Sequence, residues 1–268
     1  MTEPAYNEHP GLRATVLKAC AKSPKHAHHT ATTHIEPTDA MRWGGLVDWC
    51  LLDPEEFWRN ARIAEVSSKR VKAWKEHVEE YGEQWSITGE EAGRLGAMQT
   101  AFINNENAMR YARGGEPHYA CFWEDEMLGK CKAEIDYLNS AMHRIVELKT
   151  CAEIGVHQFM SQAERMGYLI QLGFYHHGIE ITTGEQWDVT LIAMESKPPH
   201  DIVVYDVQRA MLEQGYAEAE QLARRYRASE TAGMWRGVAS EIQPWERPAW
   251  VGSNETVSLK IGGSKVEV

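Results

Sequence analysis

The sequence lacks any run of 18 uninterrupted apolar residues, so no transmembrane helix and no membrane partner are expected within its 268 residues. It also lacks a basic start followed by an apolar stretch and a cleavage signal. The opening "MTEPAYNEHPGLRATV" has neither, and a cytoplasmic protein is the expectation. Paired cysteine motifs are missing too. Cys20, Cys50, Cys121, Cys131 and Cys151 are odd in number, widely spaced and without a CxxC, which argues against a zinc ribbon or a disulfide framework. Positive charge is in deficit: 28 Lys and Arg against 39 Asp and Glu leave a net charge of −11, which argues against a generally basic nucleic-acid surface. A nuclease with a local basic channel and clustered acids for metal remains compatible with that balance. No internal repeat or low-complexity segment stands out.

What is present suits a soluble globular protein. The length can bury a substantial core, and 43% hydrophobic with 25% charged residues is ordinary for that class. Leu12, Val16, Leu17 and Cys20 fall at helical spacing, and Ser23-Pro24 interrupt that helix. The apolar stripe Met41, Leu46, Val47, Cys50, Leu51 predicts a helix over 40–52. Asp53 as N-cap and Pro54 at the first position open the next one. Residues 61–85 are polar, with mixed charge, and read as helix or loop. Thr88 with Glu91 fits a capping box at the start of one long helix that Gly114-Gly115 stop.

The texture then alternates. "HYACFWEDEMLGKCKAEIDYL" predicts two strands around the turn "EDEMLGK", and "HRIVELKT" predicts a third. A helix over 157–177, two strands around Pro198-Pro199, and a polar amphipathic helix over 207–228 follow. Residues 235–250 read as an irregular segment packed over the core, and Gly262-Gly263 predict a hairpin in the tail. The expected fold class is α/β, a mixed central sheet flanked by helices with a helical N-terminal preface. One domain over 1–250 and a tail over 251–268 are expected.

The chemistry concentrates in "IVELKT". As a strand it points Ile145, Glu147 and Lys149 to one face and Val146, Leu148 and Thr150 to the other. In "KCKAEID", Lys132, Glu134 and Asp136 share a face, and Asp136 stands where the strand is expected to leave the sheet. Paired as a hairpin, the two strands bring Asp136 to Glu147 and Lys149. Two carboxylates offer hard oxygen ligands to Mg²⁺, and a neighbouring lysine can orient or deprotonate the attacking water, an arrangement suited to phosphodiester hydrolysis. The same pattern also describes an edge strand with a cross-strand ion pair, and short motifs recur by chance. Tyr168, Gln171 and Tyr175 share a face of the following helix, so Gln171 could reach a scissile phosphate, or simply line a polar seam. Asp48 sits between Val47 and Trp49 in an apolar stripe, where a buried carboxylate needs a metal or an amide partner unless it is exposed.

Taken in order, "WGGLVD…LLDPEEF", "FWEDEMLGKCKAEIDYL", "IVELKT", "GYLIQLGFY", "IAMESKPPHDIVVYDV" and "PAW" resemble the PD-(D/E)xK exonucleases related to the C-terminal nuclease domain of RecE (exonuclease VIII). The resemblance spans about residues 23–250. It implies a PD-(D/E)xK restriction-endonuclease-like core and a phage- or prophage-type 5′→3′ exonuclease. Such an enzyme depends on Mg²⁺, with Mn²⁺ as a substitute and two ions in the site. It resects double-stranded DNA ends for homologous recombination, with a RecT-like single-strand annealing protein as partner, and relatives work as ring-shaped homo-oligomers. By position, Asp136, Glu147 and the main-chain carbonyl of Leu148 would be metal ligands and Lys149 the catalytic lysine. Gln171 and Tyr175 would form the Q-x-x-x-Y element. The chain departs from the pattern in the early helix, where Asp48 stands at the place of the usual metal-binding His. Glu116 is a further candidate near the metals. Other PD-(D/E)xK nucleases, acting on single strands or branched structures, and a non-catalytic DNA-end-binding module are the alternative readings.

Three other groups of residues invite functional readings. His26, His28, His29 and His34, and the pair His176-His177, are dense enough to suggest metal but lack a fixed ligand spacing, and are read as structural or solvent-facing. Trp43, Trp49, Trp58, Trp123, Trp235, Trp245 and Trp250 could stack on bases and are read mainly as packing residues. Lys69, Arg70, Lys72, Lys75 and Arg110 either follow phosphates or form a solvated face.

Overall fold

The computed structural model describes Tyr6, residues 8–245, and the backbone of 258–261 and 264–267. Capping chemistry sets most helix boundaries. Helix α1 (Ala14–Lys22) ends at Ser23, whose hydroxyl accepts the His26 N–H and starts α2 (Pro24–Thr32). Thr38 caps α3 (Asp39–Leu52), and Asp53 caps α4 (Pro54–Asn60) by accepting the Glu56 N–H. The polar stretch that follows holds β1 (Arg62–Ala64), α5 (Lys72–Tyr81) and β2 (Ser86–Thr88), with β1 and β2 paired parallel. Both arms of the Thr88–Glu91 capping box are formed at the start of α6 (Gly89–Ile103).

Two expected helices are each divided. The first stops at Ile103 because Asn105 accepts the Ala108 N–H at 2.9 Å and caps a new helix, α7 (Glu106–Tyr111), ahead of the two glycines. The second divides into α8 (Val156–Arg165) and α9 (Tyr168–Thr183). The break falls at Gly167, whose φ of +64° is the left-handed conformation that glycine adopts at no steric cost.

The central sheet has the order β3 (Glu116–Asp125), β4 (Gly129–Asn139), β5 (Arg144–Cys151), β6 (Asp188–Glu195), β7 (Ile202–Val207). Strands β5 and β6 run parallel, joined by the α8–α9 crossover, and the other pairs are antiparallel, so the sheet is mixed as expected. The β3–β4 turn forms because Asp125 Oδ1 accepts the Met127 and Leu128 N–H groups at 2.7 and 2.8 Å. Strand β4 does not end at Asp136; it continues to Asn139, and only its ladder with β5 stops short of Asp136. Helix α10 (Arg209–Ala232) closes this part of the fold. In the tail, β8 (Ser258–Ile261) and β9 (Ser264–Glu267) pair antiparallel; Gly262-Gly263 between them, and residues 246–257 with Trp250, lie outside the described residues.

Apolar layers cover both faces of the sheet. Ile135, Ile145 and Val189 pack against α1, α9 and α10, whereas Val146, Leu148, Ile192 and Met194 pack against α3 and α6. Helices α9 and α10 touch backbone to backbone. A Cβ on Gly173 would lie 2.3 Å from the Tyr216 nitrogen, and one on Gly215 would lie 2.2 Å from the Leu169 carbonyl oxygen. All five cysteines are buried and unpaired, as expected of apolar fillers. Among the described residues, no helix is long and apolar enough to cross a membrane.

Candidate active site

Strand β5 divides its side chains between the two cores, and that alternation turns Glu147 and Lys149 toward α9. The Glu147 side chain is 1% exposed, and Lys149 Nζ bonds its Oε1 while lying 3.8 Å from Asp136 Oδ2. From α9, Gln171 Nε2 donates to the same Glu147 oxygen at 2.5 Å, and Gln171 Oε1 accepts from Lys18 Nζ of α1 at 2.8 Å. Tyr168 offers its ring to the Lys149 ammonium, 5.6 Å from the centroid.

Asp136 stands where β4 and β5 part. Their ladder stops at Tyr137 and Val146, and one residue on Asp136 Oδ2 accepts the Leu148 N–H at 2.8 Å in place of a backbone carbonyl. Asp48 approaches from α3 into the opened space. Its Oδ2 lies 3.4 Å from His118 Nδ1, and its Oδ1 is buried without a hydrogen-bond partner. Two clefts of about 500 and 380 Å³ meet at Gly45, Asp48 and Asp136. Leu148, Lys149 and Tyr168 line the first, while Glu134 and Tyr175 line the second.

The electrostatics follow from crowding three acids around one lysine, with Glu147 buried and Asp48 and Asp136 half-buried. Burial, reinforced by Asp136 and opposed by Lys149, pushes the Glu147 carboxyl up to about 7. Burial and then repulsion from Asp136 raise Asp48 well above the usual carboxylate range. Burial works against the Lys149 charge, but Glu147 and Asp136 outweigh it and hold the ammonium protonated. Lys18, buried and repelled by Lys149, is lowered to about 8, and burial raises the Tyr175 hydroxyl.

Among the described residues, no three His, Cys, Asp or Glu side chains already converge as a metal cage. The donor set nevertheless fits a hard divalent cation. Glu147 Oε2 and Asp48 Oδ1 are both buried without partners, each costing about 1–3 kcal/mol, and the acids repel one another until a cation sits between them.

The structure thus brings together Asp48, Asp136, Glu147, Leu148, Lys149 and Gln171, with Tyr175 on the wall of the adjoining cleft. Glu116 does not join them: it is exposed at the start of β3 and lines neither cleft. Sequence reasoning missed Lys18 and His118. Lys18 is separated from Gln171 by 153 residues, and no local pattern marks it. The His176-His177 pair is structural: buried His176 bonds the Trp187 carbonyl and half-buried His177 bonds Asp125, both at 2.9 Å. Trp43, Trp49, Trp123 and Trp235 pack against neighbouring side chains, whereas Trp58 and Trp245 are exposed. Lys69 and Lys72 pair with Glu91 and Glu76.

Residues 14–243 match a family described as a PDDEXK-like domain of unknown function, DUF3799. Among curated proteins, none matches the chain. A solved structure from Eubacterium rectale, described provisionally as an exonuclease, aligns with a TM-score of 0.62 at 16% identity, covering 85% of this chain and 87% of that one. A phage-related exonuclease from Haemophilus somnus 129PT aligns more loosely, with a TM-score of 0.39 at 15% identity over 85% and 99% of the two chains.

Proposed function

The chain belongs to the PDDEXK-like family, and from that premise we propose that it is a divalent-metal-dependent exonuclease that degrades DNA from duplex ends. The observation that carries the reading is the convergence of Asp136, Glu147 and Lys149, with two partnerless carboxylate oxygens beside them. We assign Asp136, Glu147, Asp48 and the Leu148 carbonyl as the metal ligands, with Mg²⁺ as the ion, Mn²⁺ as a substitute and two ions per site. The metal supplies Lewis-acid polarisation of the phosphoryl oxygen.

The chain's own groups do the rest. Lys149, kept protonated by two carboxylates, orients the attacking water and donates to the charge that develops on the phosphate. Gln171 fixes the Glu147 carboxylate through its amide nitrogen while Lys18 fixes the amide through its oxygen, so Glu147 cannot rotate away. A further cleft of about 640 Å³, lined by Arg13, Lys130, Lys132 and Arg227 as well as Glu8 and Glu230, shares Arg13 with the smaller catalytic cleft. It supplies local positive charge for a phosphate backbone in a chain whose net charge is −11.

The finer reading is 5′→3′ resection of double-stranded ends in phage-type recombination, by a ring-shaped homo-oligomer that passes the 3′ strand to a RecT-like annealing protein. The test is digestion of end-labelled linear duplex with Mg²⁺, with and without chelator, beside a covalently closed circle. Progressive, chelator-sensitive loss of the linear DNA with the circle spared is expected. Cleavage of the circle would convert the reading to an endonuclease, and binding without hydrolysis would convert it to a DNA-end-binding module.

A further inference from the structure

The β3–β4 ladder has a gap at the residue opposite Asp136. Pro117 pairs with Tyr137 and Tyr119 with Ile135, but His118 and Asp136 between them do not pair. The cause is the backbone of His118, which has a φ of +50°. A non-glycine residue there is strained and persists only where its surroundings hold it. What holds His118 is α3. Its ring stacks on Trp49, with centroids 4.0 Å apart and planes at 25°, and its Nδ1 faces Asp48 Oδ2 at 3.4 Å. Together with the β4–β5 ladder stopping short, this leaves Asp136 outside both of its neighbouring ladders.

Resting on the cation-binding reading above, we propose that His118 is a positioning residue for Asp48. Its Nδ1, at ion-pair distance from Oδ2 and with Nε2 buried and partnerless on the far side of the ring, closes to a hydrogen bond on Oδ2 when the cation binds and so aims the partnerless Oδ1 at the metal. Engaging one carboxylate oxygen fixes the rotation of the group and therefore the direction of the other. The positive φ at His118 is what lets β3 present the imidazole to α3 at the one position where its ladder with β4 is interrupted. Lost outer partners of metal ligands lower affinity by about 10- to 100-fold, so the effect falls within easy measurement.

The experiment is Mn²⁺ binding to the full chain without DNA, read from the electron paramagnetic resonance signal of free Mn²⁺. His118→Gly keeps the backbone conformation and removes the ring; His118→Asn tolerates the same φ and places its amide nitrogen close to where Nδ1 stood. His118→Gly is expected to weaken Mn²⁺ binding at least tenfold in the parent and less than twofold in an Asp48→Asn background, with His118→Asn within about threefold of the parent. A melting curve without metal checks folding, and if the glycine variant fails to fold, His118→Ala is read in its place in both the parent and the Asp48→Asn background, with the same losses expected. Unchanged affinity in His118→Gly, equal losses in both backgrounds, or a tenfold loss in His118→Asn overturns the proposal. A parent that binds no Mn²⁺ overturns the metal site itself, a separate outcome.

Discussion

Replacing Glu147 with Gln tests whether the acids of the site oppose folding until metal arrives. Unfolded, a glutamate titrates near 4.5; folded, Glu147 is raised to about 7 by burial and by Asp136. Its contribution to stability is therefore full below pH 4.5 and is lost as pH rises through 7. Linkage makes that loss small, under about 1 kcal/mol, at pH 5 and on the order of 3 kcal/mol by pH 8, a difference of roughly 2–3 kcal/mol. Glutamine does not titrate, so the stability of Glu147→Gln relative to the parent should rise by that amount from pH 5 to pH 8 in EDTA. For a chain of 268 residues this corresponds to roughly 5 °C in relative Tm. Urea melts of both proteins at the two pH values supply the measurement, and taking the difference removes every titration they share. Mg²⁺ at about a hundred times its Kd should then stabilise the parent by about 2.7 kcal/mol at pH 8 and the variant by far less. A relative stability that stays level within 1 kcal/mol from pH 5 to pH 8 would refute the electrostatic account of the site.

Asp136→Ala and Lys149→Ala should each lower nuclease activity by on the order of 10³-fold with an unchanged circular-dichroism spectrum, and full activity in either would remove the catalytic assignment. Gln171→Ala unlatches both Glu147 and Lys18, and should cost about 10- to 100-fold in activity while shifting the Mg²⁺ concentration needed for half-maximal rate upward. Gly173→Ala drives a Cβ into the backbone of α10 and should destabilise by about 3 kcal/mol, seen as a lower urea midpoint.

Much of the fold was legible because its signals are local. Asp53-Pro54, the Thr88–Glu91 box and the Asp125 turn each act within four residues, and all three stand where they were expected. Glu147 and Lys149 could be read for a similar reason, since strand periodicity alone puts them on one face. The divided helices were less visible. Asn105 interrupts by capping rather than by breaking, and Gly167 sits in a sequence whose apolar spacing runs on across it. The hidden parts of the site are those made by distance. Lys18 meets Gln171 only because α1 and α9 share a core, and His118 reaches Asp48 only through a backbone angle that histidine seldom adopts.

Strand β5 also limits how this chain can vary in length. Its odd and even positions serve two different cores, so deleting Ile145 with Arg144 held in register would turn Val146 and Leu148 toward α9 and drive the Glu147–Lys149 pair into the apolar layer under α3. No compensating shift of β4 is available, because Asp136 reaches this strand through a side-chain bond to a single amide. The turn at 140–143 and the bend at 152–155 lie outside that constraint. Insertions should be accepted there and refused within the eight residues between them, so a library of single-residue insertions and deletions, scored for soluble expression and for DNA cleavage, would trace the strand as a sharply bounded interval.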